Sequence, residues 1–401
     1  MAKTRLILPV VVFAQFCCTS LWFAGNGVMN ELMFSFELQP AALGHLTSAV
    51  QFGFITGCLG FAFMGIADRF SPSKVFFYSA IFGAFINLGI LWDNNSSASL
   101  MLFRFLTGFS LAGIYPVGMK LASDYFKDGL GRSLGFLVGA LVLGTAFPHL
   151  LNATGGAQNL HWKNVIFTTS ILAVLGGFLI LLLVKDGPYR KPMLNRNFSV
   201  IFQVFKIQKF RAAAFGYFGH MWELYAFWAF VPVVLGAYEI LQPPVGFNIP
   251  LLSFLIIGSG GLACVAGGFI SQSRGTKFTA TAALFLSGTC CLLSPFVFLQ
   301  PSSTILVLFL LFWGMLVVAD SPLFSTLIAE NAPSEARGTA LTQVNCIGFA
   351  LSILSIQLTS FLFEVLPPAY PLLFLVAGPV LGMLALFRKS RLVSRFSTEK
   401  V

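Results

Sequence analysis

Apolar residues run along this chain in long stretches that are separated by short polar segments. About 20 apolar residues are needed to cross roughly 30 Å of hydrocarbon, and twelve stretches come close to that length or exceed it. The pattern predicts an all-α integral membrane protein. We number the stretches as spans 1 to 12, at residues 6–28, 41–67, 74–92, 99–123, 132–151, 163–184, 211–239, 250–272, 276–299, 303–329, 337–364 and 369–388.

Residues 104–135 return as a second, degenerate copy at residues 309–340. Each copy is an apolar helix marked by glycine and proline, followed by an acid, a short polar loop and an arginine that begins the next apolar helix. This repeat predicts a duplication of two parallel halves, and such halves place the functional site between them. The matched positions lie 206 residues apart, the last pair after a one-residue deletion: Gly108 and Gly314, Pro116 and Pro322, Leu121 and Leu327, Asp124 and Glu330, Arg132 and Arg337.

Composition supports a membrane location, because the mean hydropathy is +0.86 and only 9% of the residues are charged. Soluble domains carry about 25% charged residues. The net charge of +10 would suggest a nucleic-acid partner in a soluble protein, but here the position of the charges explains it. Of the 24 Lys and Arg residues, all but Arg104, Lys120 and Lys163 fall on the side that carries both termini. The positive-inside rule therefore predicts that both termini and the long middle loop are cytoplasmic, and no nucleic-acid partner is expected.

We predict no cofactor, no metal and no enzymatic activity. All seven cysteines fall inside predicted spans, where they are typical of small core residues rather than of metal ligands or disulfides. The chain contains no nucleotide-binding loop of the GxxxxGK[ST] type, so ATP is not expected to drive it.

Several motifs resemble the major facilitator superfamily of secondary transporters, in their bacterial, twelve-helix form. The loop after span 2 is similar in kind to the family's signature at Asp68, Arg69 and Lys74, although its glycine, Gly65, is displaced by one position. A second degenerate copy follows span 8. Arg104 with Gly108 in span 4, Asp124 at the end of that span, and the segment 336–340 are also similar to family motifs.

The resemblance covers the whole chain and implies two pseudo-symmetric six-helix bundles that rock about a site at mid-membrane. The expected units are an N-terminal bundle at 1–184, a cytoplasmic linker with an interfacial helix at 185–210, and a C-terminal bundle with a basic tail at 211–401. The family's exporter signature in span 5 is incomplete, because Pro148 is followed by His149 instead of glycine. This favours uptake over export.

Ionisable side chains inside a bilayer are costly, so each needs a reason. Groups that the fold alone requires should occur in both halves of the repeat. At the offset of 206 the ionisable groups of the spans meet apolar or uncharged residues, which indicates specialised roles, whereas Asp124 and Glu330 match each other. Four groups have no ionisable counterpart in the other copy: Arg104 aligns with Leu310, His220 with Ala14, Glu223 with Cys17, and Asp320 with Ile114.

Span 7 holds the densest cluster of candidate residues. His220, Glu223 and Phe227 are predicted to share one helical face near mid-membrane. Removing a carboxylate from water favours its protonated form, so Glu223 is the first candidate for the coupling proton, with His220 as its neighbour and Asp320 as the next candidate. A static hydrogen-bonded pair that holds helices together is the alternative for Glu223. Asp320 could instead satisfy backbone groups freed by Pro322.

A polar stripe along span 1 is the first candidate for the wall of a substrate cavity, with helix-helix contacts as the alternative. Arg104 either pairs with an acid, organises the first bundle, or attracts an anionic substrate. The candidate substrate-binding residues are Gln15, Thr19, Trp22 and Asn26 of the stripe, together with Arg104, Tyr115, His220, Phe227 and Asn345.

Together these features predict a monomeric transporter that moves a small organic solute by alternating access, coupled to protons and acting in uptake. The alternatives are a proton-driven exporter of an amphiphilic compound and a non-transporting sensor or assembly factor with the same fold. The repeated cytoplasmic motifs are predicted to act as gates: Asp68, Arg69, Lys74, Asp124 and Arg132 in the first half, and Glu330 and Arg337 in the second.

Overall fold

The computed structural model describes residues 2–126, 130–154, 162–190, 203–242, 245–333 and 337–387. Its regular elements in these ranges are helical. Ten helical segments are long and apolar enough to cross a membrane, and shorter apolar helices stand at spans 1 and 12. The helices are Ala2–Thr19 (span 1), Ala42–Met64 (2), Pro72–Leu88 (3), Ser97–Leu111 and Tyr115–Tyr125 (4), Leu130–Ala153 (5), Trp162–Leu183 (6), Gln208–Leu241 (7), Ile249–Arg274 (8), Thr276–Phe298 (9), Ser303–Ala319 and Ser321–Asn331 (10), Arg337–Val365 (11), and Pro371–Val376 with Ala377–Phe387 (12).

Span 1 is not the single helix that the apolar run 6–28 predicts. Its α-helix ends at Thr19, turns follow, and a short 3₁₀ helix at Asn26–Val28 leads into the helix Met29–Ser35. The predicted stripe of four polar residues on one helical face is therefore wrong beyond Thr19. The apolar residues at 21–24 hid the break, although Gly25, Asn26 and Gly27 follow them.

Spans 4 and 10 are both divided at equivalent points. Span 4 begins a new helix at Tyr115 with Pro116 in its first turn, and span 10 begins a new helix at Ser321 with Pro322 in its first turn. Proline lacks a backbone N–H and its ring clashes with the carbonyl four residues earlier, so a helix restarts there. The two breaks lie 206 residues apart and agree with the duplication.

Two glycines of the repeat bring helix backbones into direct contact. A Cβ atom on Gly108 of span 4 would lie 2.0 Å from the carbonyl oxygen of Val50 in span 2. A Cβ atom on Gly314 of span 10 would lie 2.2 Å from the carbonyl oxygen of Ile256 in span 8. Because Ile256 also lies 206 positions after Val50, the two halves contain the same helix-helix contact. Small residues at such positions are typical of membrane helix packing.

The two halves meet along two helix pairs, span 5 with span 8 and span 2 with span 11. Between spans 5 and 8, Gly139 and Gly261 allow the backbones to approach. Between spans 2 and 11, Gln357 donates to the hydroxyl of Ser48 at 2.8 Å, and the thiols of Cys58 and Cys346 interact nearer the end that carries the N terminus. The halves are thus held together across most of the bundle.

The repeated glycine contact predicts equal sensitivity in the two halves. Gly108→Ala and Gly314→Ala should each destabilise the protein by about 1–3 kcal/mol, because the new methyl group collides with a backbone carbonyl. The measurement is the Tm of the purified protein in detergent. Gly268→Ala is the matched control, since a Cβ atom on Gly268 has no neighbour within 4 Å. An unchanged Tm for Gly314→Ala would show that this helix contact is not tight.

Candidate functional site

The break in span 1 is stabilised by a buried arginine from span 4. Arg104 is 2% exposed, and its guanidinium donates hydrogen bonds to the backbone carbonyls of Leu21 at 3.0 Å and of Trp22. Carbonyl groups that follow a helix end lack intrahelical donors, and a cation near a helix C-terminus is favourable. Among the roles predicted for Arg104, these contacts support the organisation of the first bundle.

An aromatic cluster lies where the two halves meet, directly beside this break. Trp22 of span 1 is 4.8 Å from Phe54 of span 2 between ring centroids, and it stacks on Tyr225 of span 7 at 5.8 Å and on Phe349 of span 11 at 5.6 Å. Tyr225 contacts Trp228 at 5.3 Å. Each half supplies part of the cluster, so the rings must separate whenever the halves part here.

Several buried polar atoms of spans 1, 2, 5 and 7 have no hydrogen-bond partner within the described part of the chain. The sequence analysis predicted two of these residues, Gln15 and Trp22, as binding residues. Buried polar groups are normally satisfied, so these groups are open to a further partner. They include both amide atoms of Gln15 and Gln51, the hydroxyl of Thr145, Nε2 of His149, and the indole nitrogens of Trp22 and Trp228.

A cavity of about 630 Å³ lies at the end of the bundle opposite the N terminus. Asn26 of span 1, His149 of span 5, Phe230 of span 7 and Ser360 of span 11 contribute to its wall, so both halves line it. Asn26 also donates from Nδ2 to the hydroxyl of Thr47 at 2.8 Å. The volume lies within the range of small-molecule sites, about 300–1,000 Å³.

Glu223 of span 7 is fully buried and accepts three hydrogen bonds. The indole of Trp313 donates to it at 2.6 Å, the hydroxyl of Ser287 at 2.9 Å and the thiol of Cys291 at 3.4 Å. These donors come from spans 9 and 10, and Phe227 packs on Trp313 at 4.6 Å. The arrangement gives each carboxylate oxygen at least one donor and ties three helices together. Sequence analysis missed the donors because they lie 64 to 90 residues away.

His220 pairs with Asp320 and not with Glu223. Its Nδ1 atom lies 2.7 Å from Oδ1 of Asp320, and both side chains are 1% exposed. Asp320 stands at the break in span 10, where its carbonyl accepts from the N–H of Phe324 at 2.9 Å. The ring of Tyr217 lies 5.9 Å from the imidazole. The structure thus places two titratable groups together in a dry interior, where they can share or exchange a proton.

The remaining predicted binding residues occupy varied positions. The hydroxyl of Thr19 donates to the carbonyl of Gln15 at 2.8 Å, and its side chain lies against Gly144. Tyr115 and Asn345 are half-buried on spans 4 and 11. Asn26 therefore lines the cavity together with His149, whereas Gln15, Trp22 and Phe227 are not among the described residues of its wall.

Most of the predicted gating residues are exposed at the end that carries the N terminus. Asp124 is buried and lies 3.8 Å from Lys120. The side chains of Asp68 and Arg132 lie outside the described residues, as do residues 191–202, which include the first part of the predicted interfacial helix. The exposed gating residues are Arg69, Lys74, Glu330 and Arg337.

The start of the linker is bound to the first half by contacts that sequence analysis did not find. Asp186 accepts from the hydroxyl of Ser71 at 2.6 Å and pairs with Arg190 at 2.7 Å. Arg190 also donates to the carbonyl of Phe70 at 2.8 Å, and Tyr125 donates to the carbonyl of Lys185 at 2.7 Å. This short segment thereby connects the loop after span 2 with the end of span 4. No spacing rule could have linked residues more than 100 positions apart.

Comparisons with known proteins agree with this architecture. The family model described as Major Facilitator Superfamily matches residues 11–356. A glycerol-3-phosphate transporter of Bacillus subtilis (strain 168) is 28% identical over 152 residues, which are 36% of this chain and 33% of that protein, so the match spans about a third of the relative.

Three solved structures share the fold over 96% of this chain. A bacterial homologue of the human lysosomal transporter Spinster, in an inward-facing and unoccupied conformation, has a TM-score of 0.70 at 15% identity over 95% of its length. The human organic anion transporter MFSD10 (TETRAN) has a TM-score of 0.73 at 13% identity over 99%. A point mutant of the nucleoside transporter NupG has a TM-score of 0.72 at 16% identity over 100%.

The contacts of Arg104 predict a structural role that a substitution can separate from solute binding. Arg104→Met should lower the free energy of unfolding by about 2 kcal/mol or more, because it leaves two buried carbonyl groups without a charged donor. Arg104→Lys keeps the charge but not the forked geometry. Its Tm should therefore lie between the Tm of the wild type and that of Arg104→Met. An unchanged Tm for Arg104→Met, together with lost solute binding, would instead assign Arg104 to the substrate.

Proposed function

The chain belongs to the major facilitator superfamily of secondary transporters, which are carriers and not enzymes, and on that premise we propose that it takes up a small organic solute by alternating access with protons as the coupling ion. Its functional units are then the two bundles at 1–184 and 211–401, joined by the linker at 185–210. We propose that it works as a monomer in a bacterial inner membrane, with both termini in the cytoplasm.

The observation that carries solute binding is the cavity lined by both halves, which contains an unpartnered buried group. Nε2 of His149 lines this cavity and no described residue satisfies it, and the cavity is large enough for a small metabolite. A solute that fills the cavity would satisfy this group. Binding between the halves is also what alternating access requires, since a rocking motion then changes the side of access.

The geometry favours the His220–Asp320 pair over Glu223 as the carrier of the coupling proton. Glu223 accepts three hydrogen bonds that stabilise one fixed state. The His220–Asp320 pair has one negative charge when the imidazole is neutral and none after it gains a proton. An uncompensated charge in a dry interior is costly, so release of the proton requires solvent access or a conformational change. Glu223 is the second candidate.

Transport assays can separate the two candidates. Asp320→Asn should still exchange solute between the two sides of a proteoliposome, because exchange needs no net proton movement, but it should fail to accumulate solute when a pH gradient is imposed. The solute for this assay is found by screening metabolites for a rise in Tm. Glu223→Gln is the matched control and should accumulate solute in proportion to its folded amount. Normal accumulation by Asp320→Asn, with no accumulation by Glu223→Gln, would show that Glu223 carries the coupling proton.

The proposed orientation can be tested by labelling introduced cysteines with a reagent that does not cross membranes. Asn94→Cys should react from the outside of intact cells, and Ser273→Cys only after the cells are opened, because the two exposed positions lie at opposite ends of the bundle. The seven native cysteines are buried, so a cysteine-containing wild type serves as the background control. Reaction of Ser273→Cys from outside would show that the orientation in the membrane is opposite to the proposed one.

A further inference from the structure

The cavity between the halves is lined by two carboxylates, with neither lysine nor arginine among the described residues of its wall. Glu31 comes from the first half and Glu364 from the second. The cavity therefore has a negative charge contributed by both halves. Low-dielectric walls focus such a field and attract ligands of opposite charge.

Glu31 is held in position by its neighbours. Asn152 of span 5 donates from Nδ2 to Oε1 of Glu31 at 3.1 Å and to the carbonyl of Gly27 at 2.8 Å. This bridge connects the short helix Met29–Ser35 to the end of span 5. The carboxylate retains further lone pairs for a ligand, and Glu364 lines the same cavity from the end of span 11.

A second and independent group points into the same space. His149 lines the cavity, is only 2% exposed, and its Nε2 atom has no partner in the described part of the chain. As a neutral imidazole it can accept a hydrogen bond from an N–H group of a ligand. The stacked rings of Phe230 and Phe363, 5.1 Å apart, also line the cavity, and aromatic faces attract cations.

An anionic ligand would find no matching charge here. Phosphate and carboxylate groups are usually recognised by arginine or lysine. Arg104, which the sequence analysis offered as a partner for an anionic substrate, is not part of the cavity wall and donates to the carbonyls of Leu21 and Trp22. The glycerol 3-phosphate named for the Bacillus subtilis relative therefore does not fit the charge of this cavity.

We infer that the solute is a small organic cation whose ammonium group binds between Glu31 and Glu364 and contacts His149. This inference rests on the proposed transport function and specifies the substrate class of its site. The carboxylates supply the charge, Nε2 of His149 supplies a directional acceptor, and the phenylalanines contact the apolar part of the solute. Attraction between exposed charges is screened by salt, so the affinity for the solute should fall as ionic strength rises.

The test uses the full-length protein purified in detergent and a panel of primary amines and quaternary ammonium ions, with glycerol 3-phosphate and inorganic phosphate as anionic probes. We expect at least one cation to raise the Tm in a saturable way. Glu31→Gln and Glu364→Gln should each weaken its affinity by about tenfold or more, which corresponds to about 1.4 kcal/mol, and His149→Phe should weaken it as well.

Glu239→Gln is the matched control, because this acid lies at the same end of the bundle, accepts from the N–H of Phe247 at 3.0 Å and is not part of the cavity wall. It should leave the affinity unchanged. An equal loss of affinity in Glu239→Gln and Glu31→Gln would show that the negative charge of this surface as a whole attracts the cation, and would overturn the proposed site. Stabilisation by the anions alone, or by neither class at concentrations on the order of 10 mM, would overturn the substrate class.

Proteoliposome exchange distinguishes this inference from the proposed function. Exchange of an anionic or neutral solute would keep the transport function and reject the cation site. Binding of a cation with the predicted loss in Glu31→Gln, but without any exchange, would keep the site and reject transport.

Discussion

The cost of burying a polar group in a hydrocarbon layer constrains every part of this structure. Helices avoid most of that cost because their backbone groups bond to one another. The buried polar side chains fall into distinct groups. Arg104 satisfies carbonyls where span 1 breaks, and Glu223 is satisfied by three donors from neighbouring helices. Other groups, such as Gln15, Gln51 and His149, have no partner among the described residues. The first two stabilise the fold, whereas His149, which lines the cavity, is the unsatisfied group that we propose contacts the solute.

The duplicated framework was predictable because it depends on local sequence. Gly108 and Gly314 make equivalent backbone contacts, and Pro116 and Pro322 restart equivalent helices. Both effects follow from the residue itself, from a missing side chain or a missing N–H group. The break in span 1 was not predictable, because its stabilising partner, Arg104, lies more than 80 residues away.

The sequence predicts which residues are candidates for the site, but only partly which of them contact each other. The absence of His220, Glu223 and Asp320 from the matching positions of the repeat identified them as specialised groups. Their partners depend on how each helix is rotated in the bundle. A shared face on span 7 suggested His220 with Glu223, but the rotation of span 10 brings Asp320 to 2.7 Å from the imidazole and Trp313 to 2.6 Å from Glu223. Such distances follow from tertiary packing, which single-helix periodicity does not contain.

Span 7 connects the two parts of the proposed mechanism. It is a continuous helix of 34 residues, in contrast to the broken span 1 that occupies the equivalent place in the first half. Trp228 lies in the aromatic cluster next to the cavity, and His220 lies about 12 Å closer to the opposite end, at 1.5 Å per residue. In this conformation the His220–Asp320 pair is behind the closed part of the interface, beside Tyr217, whereas the cavity lies beyond the aromatic cluster. A motion that parts the halves near Tyr217 would give water access to the pair and close the cavity end, so one helix would link the accessibility of the proton site to that of the solute site.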